Sequence, residues 1–352
     1  MDQPGRSCPL HYRYRPDVFA AAAPMLRAET LYVIGGLYGN VESLSRILAM
    51  KDEEEQATGA PVQLLFNGDF NWFDCDAASF RQINEAVLDH AALTGNVEAE
   101  LGSESDANGC GCGYPDYVEQ AVVDRSNAIM QRLRQCAGEF PDLQRRLAAL
   151  PMHCTVEVGA RRIGIVHGDA ESLAGWNFAY EAMPALPGEA HVAQTGYRAP
   201  VERIAGYFRQ ARVSAFASTH TCLPFVQDFE VDGERRLVIN NGAAGMPNFT
   251  ATSYGLLTRI SARREVPAGS LYGTSLPSPR PSPRPSPANG RGSEVRFDAL
   301  PIRLDQARWI ERFSANWPAG SPGRVAYFKR ITEGPDFEIQ RAVRLQAQPG
   351  AS

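Results

Sequence analysis

The chain has 352 residues but no apolar run near the roughly 20 residues that a membrane-spanning helix requires, which argues against a membrane protein. It also lacks a basic excess. Lys and Arg total 35 against 40 Asp and Glu, a net charge of −5 that argues against a nucleic-acid binder with a broad basic surface. The apolar stretch Val18 to Ala23 is short and follows Arg15, Pro16 and Asp17, a poor match to a secretory signal. Cysteine is sparse: seven residues, an odd number, do not make a disulfide framework, so free thiols and a cytoplasmic location are expected. What is present is a 44% hydrophobic composition, ample for two domains or one large α/β domain.

Short apolar runs punctuated by glycine dominate the first third. Leu31 to Ile34 ends at Gly35-Gly36, Val62 to Phe66 leads into Asn67-Gly68-Asp69, and Ala91 to Leu93 ends before Gly95-Asn96. Each reads as a buried strand, and helical spacing returns between them at Val41, Leu44, Ile47 and Leu48 and at Phe80, Ile83 and Val87. Asn40 is a candidate cap for the first of these helices, which is expected to end in a solvated charged stretch, Lys51 to Glu55. This alternation predicts α/β structure with several parallel strands. From Cys154 onward the pattern changes to strand-like runs, including Ile163 to Val166, Val213 to Ala217, Phe225 to Phe229, Leu237 to Asn240 and Tyr254 to Ile260. With Asp232-Gly233 as a hairpin signal, these predict a second, largely antiparallel sheet. The tract Pro277 to Pro287 alternates proline with Ser and Arg and cannot build a packed core.

Polar residues cluster directly after these strands, where open α/β sheets place their ligands. Asp69, Asn96, His167 and His220 each stand in such a loop, and together they are the donor types that a divalent cation gathers from separate loops. Singly, Asp69 reads as a turn residue, Asn96 as a cap and each histidine as structural. Their common position after strands carries the functional reading. His90 and His153 follow no such pattern, and Trp72 and Trp176 read as core or pocket wall.

Six segments in order, LYVIGGLYGN, LLFNGDF, LTGNVE, IGIVHGD, STHTCLP and VINNGAAGMP, resemble the loops of the calcineurin-like metallophosphoesterase family. The resemblance spans about residues 31–247 and implies a two-sheet β-sandwich flanked by helices. It also implies that Asp69 bridges two metals in the family's scheme, with Asn96, His167 and His220 completing one of them. The other metal's remaining positions fall on Gly36, Tyr38 and Cys222, where the family has Asp, His and His. This assignment sets Thr219-His220-Thr221-Cys222 on the family's Gly-His-x-His; the alternative register puts Ser218 in place of the first histidine. Val97 stands where the family has the His that assists the leaving group, a loss of about 10²–10⁴-fold for a general acid.

These departures predict one divalent ion, with Mn, Fe or Zn the suitable metals, held by Asp69, Asn96, His167 and His220. The implied activity is atypical hydrolysis of a small phosphate-containing substrate. The alternative is a catalytically inactive protein that binds a phosphate-containing ligand in a regulatory role. Tyr38, Cys222, Cys110 and Cys112 are accessory candidates for a thiolate-rich second site, and the three cysteines alone are candidate sensors of a redox-sensitive protein. The expected organisation is an irregular segment 1–28, a main domain 29–264, a Pro/Ser/Arg-rich loop 265–296 and a C-terminal extension 297–352 packing on the main domain.

Overall fold

The computed structural model describes residues 4–6, 8–186, 198–263, 265, 267–277 and 294–346. Its glycine-terminated apolar runs form strands that are covered on both faces, which is why they read as continuous hydrophobic segments rather than alternating ones. In Thr30–Ile34, for example, all five residues are buried.

The strands, in chain order, are β1 Leu26–Ala28, β2 Thr30–Ile34, β3 Val62–Asn67, β4 Ala91–Leu93, β5 His153–Val158, β6 Arg161–Val166, β7 Ala215–Ser218, β8 Phe225–Val231, β9 Glu234–Asn240, β10 Gly255–Ser261, β11 Tyr272–Pro277, β12 Glu294–Ile302 and β13 Val343–Arg344. The helices are α1 Val18–Ala21, α2 Val41–Thr58, α3 Ala77–Val87, α4 Asn96–Leu101, α5 Gln120–Ala137, α6 Pro141–Ala148, α7 Val201–Ala211, α8 Gln306–Asn316 and α9 Pro322–Glu333. One sheet has the order β11-β12-β10-β2-β3-β4 and the other β1-β5-β6-β7-β9-β8-β13.

The two sheets face each other across an apolar layer that includes Leu31, Val33, Leu65, Ile163, Ile165, Ala217 and Ile239. The alternate residues point outward. Tyr32, Ile34, Leu64 and Phe66 pack with Leu44, Ile47, Phe80, Ile83 and Trp309 of the helices on one side. Phe216, Phe225 and Val238 pack with Ile204 and Phe208 on the other. The result is a two-sheet sandwich flanked by helices, as the resemblance implied. Asn40 caps α2 by accepting from the Ser43 N–H at 3.0 Å, and Gly59, left-handed at φ 65°, ends it.

Several local expectations are corrected. The seven-stranded sheet is mixed rather than largely antiparallel: only β5–β6 and β8–β9 are antiparallel pairs. Gly159 and Asp232-Gly233 mark those two hairpins, but α7 carries the chain from β6 over to a parallel β7, and no local signal announces that pairing. Residues 254–260, expected in the second sheet, supply β10 of the first, where β10 pairs with β2 and β12. The segment 1–28 is not wholly irregular, because it buries Tyr12 and Phe19 and adds β1 beside β5. Within 265–296, β11 and the first residues of β12 form an antiparallel edge in which Pro277 stands opposite Glu294. The rest of the Pro277 to Pro287 tract lies outside the described residues. The Lys51 to Glu55 stretch neither ends α2 nor is wholly solvated: Glu54 accepts from the Tyr32 hydroxyl and pairs at 2.7 Å with Arg259, a residue only 2% exposed. No helix of the described residues is long and apolar enough to cross a membrane.

Candidate metal centre

Strands β2, β3 and β4 run parallel in one sheet, as do β6, β7 and β9 in the other. The loops after these strands meet. Asn67, at the end of β3, ties the sheets together by donating to the Val166 carbonyl (2.7 Å) and the Thr219 hydroxyl (2.9 Å). Gly36 bridges in parallel to Ala243. Two glycines permit the close approach. A Cβ at Gly68, which is left-handed at φ 77°, would stand 2.6 Å from His167 Nδ1, and one at Gly95 would stand 2.2 Å from Asp69 Oδ1.

Asp69, His167 and His220 are buried, with one ligand atom from each within 4.8 Å of the others. His167 Nε2 lies 3.4 Å from Asp69 Oδ2, 3.2 Å from Asn96 Oδ1 and 3.3 Å from His220 Nδ1. All four residues singled out from sequence therefore face one point. Ser218, the alternative register's candidate, instead donates its hydroxyl to the Ile239 carbonyl at 3.3 Å.

Backbone groups hold each donor in place. His167 Nδ1 donates to the Asn67 carbonyl (2.8 Å) and His220 Nε2 to the Cys112 carbonyl (2.9 Å), so the nitrogens facing the centre carry lone pairs. Asn96 Nδ2 donates to the Cys110 carbonyl at 2.9 Å, which turns its Oδ1 inward. Asp69 Oδ1 accepts from the Val97 N–H at 3.2 Å. Four acceptors thus converge without a donor among them. Separations of 3.2–3.4 Å match the roughly 3.0–3.4 Å between neighbouring ligands on an ion with bonds of about 2.1 Å. The donor set fits a divalent cation.

The electrostatics of the centre without an ion favour positive charge at this point. Burial works against the Asp69 carboxylate, yet His167 and His220 beside it hold its pKa below the ordinary value. Burial likewise opposes charging of His167, but Asp69 outweighs it and raises the pKa. His220 is pushed down to about 4 by burial and by His167.

The other three positions of the family scheme look different. Tyr38 Oη lies 2.6 Å from Cys222 Sγ, and burial pushes the pKa of both groups up, which keeps them neutral. The Tyr38 ring fills the space beside Gly36, where a Cβ would come within 2.2 Å of its Cζ. Tyr38, Asp69 and Cys222 are three of the six non-glycine residues with positive φ among the described residues, so backbone strain concentrates at this centre. Cys110 and Cys112, candidates for thiolate ligands, contribute their carbonyls to Asn96 and His220 instead. The Cys112 thiol is buried, which pushes its pKa well above the ordinary value.

A cleft of about 180 Å³ opens on the centre, walled by Trp72, Tyr114, Trp176, Met246, Tyr327 and Arg330 among others. Trp176 is placed by its Nε1–H, which donates to the Cys112 carbonyl at 3.1 Å, and its ring meets His220 edge-on at 5.4 Å. Sequence reasoning missed Tyr114, Tyr327 and Arg330, and it gave Glu98 no role. Glu98, fully buried, laces the loops by accepting from the N–H groups of Asp69 (2.7 Å), Gly95 (3.0 Å) and Asn71 (3.1 Å). Its place three residues after Gly95, the N-cap of α4, is a capping-box position that could have flagged it. For Arg330 and Tyr327 the sequence offers none.

Neither a family model nor a curated protein matches the chain. Among solved structures it is similar in fold to a hypothetical protein from Pyrococcus horikoshii OT3, with a TM-score of 0.52 and 14% identity over 89% of this chain and 100% of that one. A metallophosphoesterase from Sphaerobacter thermophilus aligns with a TM-score of 0.47 and 13% identity over 85% of this chain and 98% of that one.

Proposed function

We propose that this chain is a calcineurin-like metallophosphoesterase that works with a single divalent ion held by Asp69, Asn96, His167 and His220. The observation that carries the reading is the convergence of four lone-pair donors whose orientations are fixed by backbone partners. One proton cannot satisfy four acceptors, whereas one cation can. Two imidazole nitrogens and two oxygens suit manganese, iron or zinc. Such an ion supplies an ionised water and polarises a phosphoryl oxygen.

The chain's own residues then set the substrate. Beyond the four ligands, the cleft lining contains no carboxyl and no imidazole among the described residues, and burial raises the pKa of its phenols and thiols, Tyr38, Tyr114, Tyr327, Cys112 and Cys222, which makes them poor proton donors to a leaving group. Val97 adds only an apolar side chain. The leaving group must therefore depart as a stable anion, and the aromatic walls favour a planar one. Aryl phosphates meet both conditions. With the metal-loaded chain, aryl esters should be hydrolysed at least about 10²-fold faster than alkyl esters, the low end of a general acid's contribution. His167→Ala should abolish both activities. Equal rates for the two ester classes, or activity that survives His167→Ala, would overturn the proposal.

The second reading, a phosphate-binding protein without turnover, draws on Val97 and on the Tyr38–Cys222 pair that occupies the place of a second ion. Retained metal and bound phosphate with no hydrolysis of any ester would favour it.

A further inference from the structure

The C-terminal extension reaches into the cleft. Helix α9 places Tyr327 and Arg330 in its wall, outside the region that carries the family resemblance. The helix is well anchored. The Tyr327 ring meets Phe73 edge-on at 5.0 Å, Gly323 lies against the Trp317 ring, and the Glu333 carbonyl accepts from the Ala251 N–H at 2.8 Å.

Arg330 is held at one corner only. Its Nη2 donates to the Cys222 carbonyl at 3.2 Å, and its buried Nε has no hydrogen-bond partner among the described residues. Among the described residues the only carboxylate lining the cleft, Asp69, is committed to Val97 and His167. Within the described residues Arg330 forms no ion pair. A part-buried guanidinium in a cleft wall without a counter-charge among the described residues is a receptor for an anion, and its planar fork matches two oxygens of a tetrahedral oxyanion. The same cleft wall carries the Tyr38–Cys222 pair, at two of the positions where the family scheme has metal ligands.

We infer that Arg330 is the second cationic group of this centre, gripping the substrate's phosphate group from the cleft wall that also carries Cys222. The inference rests on the proposed phosphoesterase reading for the identity of the anion, but not on the metal for the grip itself. The site thus pairs one metal with one arginine, and the arginine is supplied by the extension rather than by the sandwich.

The test is calorimetric binding of inorganic phosphate to the full chain, both metal-loaded and chelator-treated, with metal content measured in parallel. Arg330→Met keeps the aliphatic stem and removes the charge, and it should weaken phosphate binding about 10- to 100-fold while metal content stays unchanged. Arg330→Lys should recover part of the affinity, since it keeps the charge and loses the fork. Should Arg330→Met fail to fold, Arg330→Lys decides by itself, with a several-fold loss expected. Unchanged phosphate affinity in a folded variant overturns the inference, as does wild-type protein that binds no phosphate in either state. If the wild type holds no metal, the single-metal reading fails, and Arg330-dependent phosphate binding by the metal-free chain still upholds this one.

Discussion

Loading the chain with zinc or manganese should raise its melting temperature, and His167→Ala should remove the effect. Without a cation, His167 Nε2 faces three further acceptor atoms at 3.2–3.4 Å inside a buried centre. A cation relieves that arrangement only in the folded state, because the four ligands come from separate loops. Binding to the folded state alone stabilises by about 2.7 kcal/mol when free metal is 100 times Kd, and by about 4.1 kcal/mol at 1,000 times. At about 2.1 cal/mol/K per residue, a chain of 352 residues has an unfolding entropy near 0.7 kcal/mol/K. The shifts are therefore about 4 and 6 °C. Differential scanning fluorimetry against a metal titration reads this directly. His167→Ala should melt lower even without metal, because the Asn67 carbonyl loses its 2.8 Å donor, and added metal should not move it. His90→Ala, outside the centre, should keep the full shift. A wild-type protein insensitive to millimolar metal, or an equal shift in His167→Ala, refutes the reasoning.

Elemental analysis of the unmodified chain should find one ion, and two tightly held ions would refute the reading of the Tyr38–Cys222 pair. Gly36→Asp alone should cost about 1–3 kcal/mol by overpacking, since its Cβ would overlap the Tyr38 ring; combined with Tyr38→His and Cys222→His it should move the stoichiometry toward two. Asp74 is 1% exposed, its Oδ2 has no partner among the described residues, and burial pushes its pKa up to about 7 from the ordinary 3.8. A raised carboxyl pKa means that this group's contribution to stability is fullest below pH 3.8 and is lost as pH climbs to about 7, by up to about 4 kcal/mol. Asp74→Asn should therefore melt several degrees above wild type at pH 8 and show no advantage at pH 4; equal melting curves at pH 8 would count against the argument. Because Pro277 and Glu294 already stand opposite each other, replacing residues 278–293 with Asn-Gly should leave the melting temperature within a few degrees.

Much of the fold was legible because its signals are local. An apolar run closed by glycine, as at Leu31 to Gly36, declares a strand whatever it pairs with, and Asn40 declares the helix start that follows. Strand partners were not legible in the same way. Gly255–Ser261 reads like the strands before it, yet it crosses to the other sheet and pairs with β2, more than 200 residues earlier in the chain. The N-terminal strand beside β5 and the edge formed by β11 and β12 were hidden for the same reason, since pairing energy depends on a distant partner.

The candidate centre divides along the same line. The sequence by itself determined which donors exist and that each follows a strand: Asp69, Asn96, His167 and His220 are readable because ligand chemistry restricts residue type and strand ends restrict position. Only the tertiary structure decided how those donors are aimed. The carbonyls of Asn67, Cys110 and Cys112 select the tautomers and the amide orientation, and a carbonyl looks the same in every residue. Only the tertiary structure placed the Tyr38 ring in the space beside Gly36. It alone brought Arg330 to Cys222, 108 residues away, where an arginine otherwise indistinguishable from its neighbours on α9 lines the cleft with no ion pair among the described residues.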